Sequence, residues 1–132
     1  MTTSDLPAEG QPDVSTEGTE APFDDVITLS TSTDENGVVT VKVVGEVDTF
    51  TAPVLRSTLD GQLEQSPREL VIDLSGVQFL GSAGLAVLVE TQKSARSREV
   101  ALRLIASTRA VTRPLEVTGL IDLFTIADSS TR

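Results

Sequence analysis

The sequence contains no cysteine and no histidine. It therefore has no disulfide, no thiolate nucleophile and no zinc site built from Cys and His. A Ser-His or Cys-His nucleophile pair is excluded as well. A hydrolase that uses carboxylates, or a metal site with oxygen ligands, stays open. Either would need positive evidence in the sequence, and we expect no cofactor.

Aromatic side chains and long apolar runs are also scarce. Aromatics make up 3% of the chain and all are Phe, so the core has to be aliphatic. No apolar run reaches the roughly 20 residues that span a bilayer, and the N-terminus lacks the basic start and apolar stretch of a signal peptide. These features predict a cytoplasmic protein that does not contact a membrane.

Negative charge is concentrated at the N-terminus. The net charge is −10, and residues 1–25 hold seven acidic side chains and no Lys or Arg, which leaves −3 for the rest. This segment has no apolar periodicity, so we expect a disordered acidic tail over 1–25, one folded domain over 26–128 and a short C-terminal tail over 129–132. Acidic proteins repel nucleic acids, so direct nucleic-acid binding is disfavoured.

Five apolar segments have the pattern of β-strands. Residues 27–33 and 38–44 are separated by a turn containing Asn36 and Gly37, which predicts an antiparallel hairpin. Residues 69–74 form a nearly continuous apolar run, typical of a central strand covered on both faces. Residues 100–105 predict another strand, and residues 120–127 a closing edge strand.

Three segments have the periodicity of amphipathic helices. In residues 51–65 the leucines recur every four residues, with Val54 beside them, and Thr51 is a candidate N-cap. Further helices are predicted over 82–97 and 109–118, the latter kinked or delayed by Pro114 and ended by Gly119. The alternation predicts an α/β fold: a mixed sheet opened by a hairpin, with helices in the β-α crossovers.

The most informative loop follows the central strand. Gly81 and Gly84 bracket Ser82 at the start of the second helix, and binding sites of open α/β sheets collect at the carboxyl ends of the strands. We expect Ser82 at the N-cap, where a helix N-terminus would accommodate an added phosphate. The same pattern is also that of an ordinary serine cap with glycines for a tight turn.

Two aspartates have alternative interpretations. Asp48 follows the second strand and either faces a partner or caps the first helix. Asp73 lies in the central strand, where pairing with a backbone N–H is expected in preference to metal binding.

Four short segments give the chain a family resemblance. They are residues 45–48 with 51–52 and 55–56, residues 71–75, residues 79–85, and residues 115–120 with 123–124. Together they resemble, in order and spacing, a STAS domain of the bacterial anti-sigma-factor antagonist type. The resemblance covers residues 27–127.

The resemblance implies a partner-switching mechanism. The unmodified antagonist binds an anti-sigma factor that is also a serine kinase and so frees a sigma factor; the kinase phosphorylates the antagonist, here at Ser82, and a serine/threonine phosphatase reverses the change. The residues expected to meet the partner lie at one end of the sheet: Asp48, Thr49, Gly81, Ser82, Ala83, Gly84 and Leu85.

This sequence departs from the family pattern at two positions. Gly81 stands where the family often has Asp, which removes a carboxylate beside the acceptor, and Ala83 replaces the second Ser of some relatives. The alternative function is a STAS adaptor that does not switch, or a soluble subunit of a transport complex. An enzyme with Ser82 as nucleophile is disfavoured by the lack of histidine.

Overall fold

A computed structural model of the chain describes residues 27–127. The proposed tails over 1–25 and 129–132 lie outside these residues. The described part contains five strands, three α-helices and one short 3-10 helix. In chain order they are β1 (Ile27–Thr33), β2 (Val38–Val47), α1 (Ala52–Glu64), β3 (Glu69–Leu80), α2 (Ser82–Ser97), β4 (Ala101–Ile105), α3 (Arg109–Val117), the 3-10 helix Leu120–Leu123 and β5 (Thr125–Ala127).

The five strands form one sheet in the order β1-β2-β3-β4-β5. β1 and β2 pair antiparallel, and the other neighbours are parallel. The hairpin turn depends on Gly37, whose φ of +83° is a conformation that favours glycine. The Asp34 carboxylate accepts hydrogen bonds from the backbone N–H groups of Asn36 and Val38 at 2.8 and 3.0 Å. The predicted mixed α/β sheet opened by a hairpin is confirmed.

The core is aliphatic, as the composition predicts. In β2 the side chains of Val39, Val41 and Val43 are buried, while the alternate residues are more exposed. Buried side chains of the helices belong to the same hydrophobic cluster as these valines, among them Leu55, Leu59, Leu63, Leu88, Val111 and Leu115. The recurring leucines of α1, and Val111 and Leu115 of α3, therefore lie in the core.

β3 is longer than predicted, since the strand runs on to Leu80 instead of ending at Leu74. Its second half keeps pairing with β2 through two register shifts, each of which adds one residue to β3. Gly76 fits this close pairing: a Cβ at that position would lie 2.8 Å from Cγ2 of Val44. The segment after Leu74 is thus bulged strand, not a loop.

The C-terminal part also differs from the prediction. Residues 120–123 form a 3-10 helix, and only Thr125–Ala127 pair as a strand. The side chain of Gln92 donates to the carbonyl oxygen of Leu123 at 2.8 Å, which ties this short helix to α2. α3 begins at Arg109 and continues through Pro114, so the expected delay is wrong, while Gly119 ends it with φ +76° as predicted.

Candidate functional site

The carboxyl ends of β2 and β3 lie side by side. Glu46 pairs with Phe79 and Val47 pairs with Leu80 in the parallel register. The backbone N–H of Gly81 donates to the carbonyl oxygen of Val47 at 2.9 Å, which extends the contact past the end of β3. The β2–α1 loop and the start of α2 are therefore neighbours at one edge of the sheet, and this edge is called the Ser82 end below.

The β2–α1 loop is closed by reciprocal hydrogen bonds. The Asp48 carboxylate accepts from the backbone N–H groups of Phe50 and Thr51 at 2.9 and 3.0 Å. The Thr51 hydroxyl accepts from the N–H of Asp48 at 2.9 Å and donates to the carbonyl oxygen of Glu46 at 2.8 Å. Asp48 thus fixes the loop that leads into α1, whereas the N-cap is Thr51, as predicted, and no side-chain hydrogen bond caps the helix. Thr49, at the outside of the loop, is exposed.

Ser82 is the first residue of α2 and not its N-cap, so the predicted capping position is wrong by one residue. Gly81 is the N-cap of α2, in extended conformation, and Ser82 is the first helical residue. The reason is tertiary: the hydrogen bond from Gly81 to Val47 keeps residue 81 in line with the sheet, so the helix starts after it. Ser82 is exposed and no side-chain hydrogen bond caps the helix. Its hydroxyl is open to an approaching reagent and is not used to cap α2.

The other predicted contact residues of α2 differ in exposure. Ala83 is half-buried, whereas Gly84 and Leu85 are buried. A Cβ at Gly84 would lie 2.6 Å from Cγ1 of Val47 and 2.7 Å from Cδ1 of Leu80, so only glycine permits this approach of α2 to the sheet. The surface that these residues offer is Gly81, Ser82 and Ala83, with Gly84 and Leu85 beneath it.

The N-terminus of α2 favours an anion. The N–H groups of a first helical turn have no partner within the helix, and they form the positive end of the helix dipole. The first turn of α2 contains no acidic residue. A phosphate on Ser82 would therefore meet a favourable electrostatic environment without a need to unfold the helix.

The acidic side chains do not suggest a metal centre. Within residues 27–127, no group of three or more acidic side chains is placed to hold a metal ion. The Asp73 carboxylate accepts from the N–H and the hydroxyl of Ser75 at 3.0 and 2.7 Å, which confirms the expected pairing with backbone. No helix of the described part is long and apolar enough to cross a membrane.

Exposed apolar side chains at the Ser82 end were not foreseen from the sequence. Phe50 is 83% exposed and Phe79 is 51% exposed. Val54, which the periodicity placed beside the buried face of α1, is 50% exposed, so that prediction is wrong. The leucines at 55, 59 and 63 already fill the buried face, and Val54 is turned about 100° away from Leu55.

Comparisons with known proteins agree with this geometry. The family model described as STAS domain matches residues 29–131. The "anti-sigma-F factor antagonist RsfB" of Mycobacterium tuberculosis is 36% identical over 100 residues, which are 76% of this chain and 80% of that protein. The "anti-sigma-B factor antagonist" of Staphylococcus aureus is 30% identical over 90 residues, 68% of this chain and 83% of that protein. The crystal structure of an anti-sigma factor antagonist from Mycobacterium paratuberculosis superposes with a TM-score of 0.72 and a sequence identity of 40%. The match covers 82% of this chain and 89% of that protein's chain.

Proposed function

The chain belongs to the STAS-domain family, and we propose that it is an anti-sigma-factor antagonist whose binding is switched off by phosphorylation of Ser82. Relatives that are 30–40% identical over most of the chain are anti-sigma factor antagonists. The observation that carries the proposal is the position of Ser82, an exposed serine at the first position of α2 and at the carboxyl end of the sheet.

The proposed partner is an anti-sigma factor with serine kinase activity. The Ser82 hydroxyl oxygen attacks the γ-phosphorus of ATP, its proton passes to a base of the kinase, and the bond to the β-phosphate oxygen breaks to release ADP. The chain supplies the acceptor and no catalytic group, so it acts as a substrate and a regulatory binding protein rather than as an enzyme. Hydrolysis by a serine/threonine phosphatase restores the hydroxyl.

The proposed binding surface comprises Asp48, Thr49 and the residues 81–85 around Ser82. Thr49, Gly81, Ser82 and Ala83 offer surface to the partner. Asp48 fixes the loop, and Gly84 and Leu85 set the distance between α2 and the sheet. A phosphate adds a charge of about −1.5 to −2 at this surface. It stays compatible with the helix N-terminus but opposes a closely apposed partner by charge and by volume.

We propose a cytoplasmic location, because the proposed switch requires the transcription machinery and ATP. The net charge of −10 opposes direct contact with nucleic acid or with an anionic membrane. Sigma-factor release therefore follows from protein binding alone.

The experiment has two steps. The chain carrying a photo-cross-linking residue in place of Ala83 is expressed in its own host, and cross-linked proteins are identified by mass spectrometry. We expect an anti-sigma factor with an ATP-binding kinase domain. The purified partner is then incubated with ATP and either the wild-type chain or Ser82→Ala, and phosphate is located by mass spectrometry.

Phosphate on Ser82 of the wild type, and none on Ser82→Ala, is the expected result. Phosphate on Thr49 or Ser75 in place of Ser82 would overturn the site. A cross-linked partner without kinase activity, or a partner that binds the chain but leaves it unphosphorylated in the presence of ATP, would leave an adaptor that does not switch as the better description.

A further inference from the structure

We infer that Phe50, Phe79 and Val54 form the apolar anchor of the partner interface, and that the kinase domain of the anti-sigma factor has an apolar recess for them beside its catalytic site. This anchor, called the phenylalanine rim, rests on the proposed function for the identity of the partner. Its existence as a docking surface rests on exposure and placement.

Exposed phenylalanine is unusual in a chain with so few aromatic residues. The sequence has four Phe and no Trp or Tyr. Of the three Phe within residues 27–127, only Phe124 is buried, while Phe50 and Phe79 are exposed by 83% and 51%. Large apolar side chains grouped on a surface mark interaction sites, whereas isolated ones carry little meaning.

Hydrogen bonds and register bring the backbones of the two phenylalanines to the same end of the sheet. Phe79 pairs with Glu46 across β2 and β3. The carbonyl oxygen of Glu46 accepts from the hydroxyl of Thr51, which follows Phe50 directly. Phe50 and Phe79 are thus linked through two residues of the fixed loop. Val54 lies in the first turn of α1, at the same end of the sheet.

The rim is continuous with the proposed phosphorylation site. A Cβ at Gly81 would lie 3.1 Å from Cε2 and 3.3 Å from Cζ of Phe79, so the ring edge occupies the space beside residue 81. Ser82 is the next residue. A partner that reaches the Ser82 hydroxyl therefore contacts the ring of Phe79.

The loop holds Phe50 ready for binding. Its backbone N–H is bonded to the Asp48 carboxylate at 2.9 Å while its side chain stays exposed. An anchor whose backbone is already ordered loses less entropy on association. Asp48 is therefore a positioning residue for Phe50 rather than a direct contact.

The area of the rim suits a protein partner. A Phe side chain buries about 150–250 Å² when it is fully enclosed. With exposed fractions of 83% and 51%, the two side chains offer about 200–335 Å², which is about a quarter to two-fifths of the roughly 800 Å² that one partner contributes to a standard interface. Aromatic residues near the centre of an interface commonly carry most of its affinity.

An exposed valine outside the phenylalanine rim serves as the control for Val54. Val54 and Val117 are both exposed on helices, by 50% and 70%. Val117 is the last residue of α3, at the opposite end of the fold, because the crossover helices run antiparallel to the parallel strands. The two Val→Ala variants remove the same atoms at different ends of the domain.

The test measures the affinity of the purified unphosphorylated chain for the kinase-domain partner captured above. We expect Phe50→Ala and Phe79→Ala to weaken binding about tenfold or more. Val54→Ala should weaken it a few-fold, and Val117→Ala should leave it unchanged. Circular dichroism and thermal melting verify that each variant folds; Phe79→Leu replaces Phe79→Ala if the latter does not.

Fluorine NMR supplies a second readout, which detects contact with the partner without a substitution that weakens binding. The chain labelled with 4-fluorophenylalanine has four fluorine signals, one for each Phe, and Phe→Leu variants assign them. On addition of the partner, the Phe50 and Phe79 signals should shift while the Phe124 signal stays in place.

The phenylalanine rim is wrong if the wild type, Phe50→Ala and Phe79→Ala all bind the partner with equal affinity and the partner still phosphorylates Ser82. That result would leave the proposed function intact. Failure of the wild type itself to bind a kinase would overturn the proposed function. If the chain alone dimerises and Phe50→Ala makes it monomeric, the rim is a self-association surface and the inference is wrong.

Discussion

Gly84 of α2 packs directly against Val47 of β2, and the contact leaves no space for a Cβ at residue 84. A methyl group at residue 84 would lie 2.6 Å from Cγ1 of Val47. This contact sets how closely the Ser82 end of α2 approaches the sheet. It also gives a sharp comparison with Gly61, in the last turn of α1, where a Cβ would meet no atom within 4 Å.

We predict opposite effects of the same substitution at these two glycines. Gly84→Ala should lower the free energy of unfolding by about 1–3 kcal/mol, because it overpacks a closed contact. Gly61→Ala should raise it by about 0.5–1 kcal/mol, because alanine favours a helix interior. Urea denaturation of both variants gives the comparison. Stabilisation by Gly84→Ala would contradict the close packing of α2.

A second prediction concerns the loop that presents Phe50. Asp48→Ala removes the acceptor for the N–H groups of Phe50 and Thr51, and we expect a loss of about 0.5–1.5 kcal/mol of stability for each lost hydrogen bond. Asp48→Asn keeps an oxygen acceptor and should lose less. The order of the two variants in thermal melting checks the assignment, and equal losses would show that the charge, not the hydrogen bonds, is what matters.

The core prediction rests on Leu88, which is fully buried in α2. Leu88→Ala should cost about 2–5 kcal/mol of unfolding free energy. Val117→Ala, at an exposed site, should change it by less than about 0.5 kcal/mol. A loss at Leu88 as small as that at Val117 would mean that α2 buries a different face.

Helix α2 shows how well periodicity alone predicts an element. The bounds Ser82–Ser97 agree with the prediction, because the apolar spacing is unbroken and the core face is continuous. The N-cap was misplaced by one residue, because the hydrogen bond from Gly81 to Val47 joins residues far apart in sequence. Local pattern contains no information about that bond.

The predicted end of β3 at Leu74 is wrong for a related reason. Ser75 and Gly76 are typical of turns, yet they continue the strand because β2 provides a bulged partner for them. The exposure of Phe50 and Phe79 is not predictable from the local sequence, because it depends on how the β2–α1 loop and the bulged end of β3 meet. The position of the Ser82 loop at the carboxyl end of the sheet was predictable, since it follows from the order of elements alone.

The N-terminal segment gives a prediction from composition. Residues 1–25 carry seven acidic side chains and no apolar periodicity, so we propose that they form a tail outside the domain of residues 26–128. Deletion of residues 1–25 should leave the melting temperature and the partner affinity nearly unchanged. A fall of several degrees on truncation would show instead that the segment packs on the domain.

We propose that a phosphate on Ser82 controls binding and leaves the fold intact. The most direct measurement is calorimetric titration of the purified anti-sigma factor with the unmodified chain and with the chain fully phosphorylated on Ser82. We predict at least about tenfold weaker binding of the phosphorylated chain, a difference of about 1.4 kcal/mol. Its melting temperature should be equal or slightly higher, because the phosphate lies at a helix N-terminus. Undiminished binding after complete phosphorylation of Ser82 would contradict the switch.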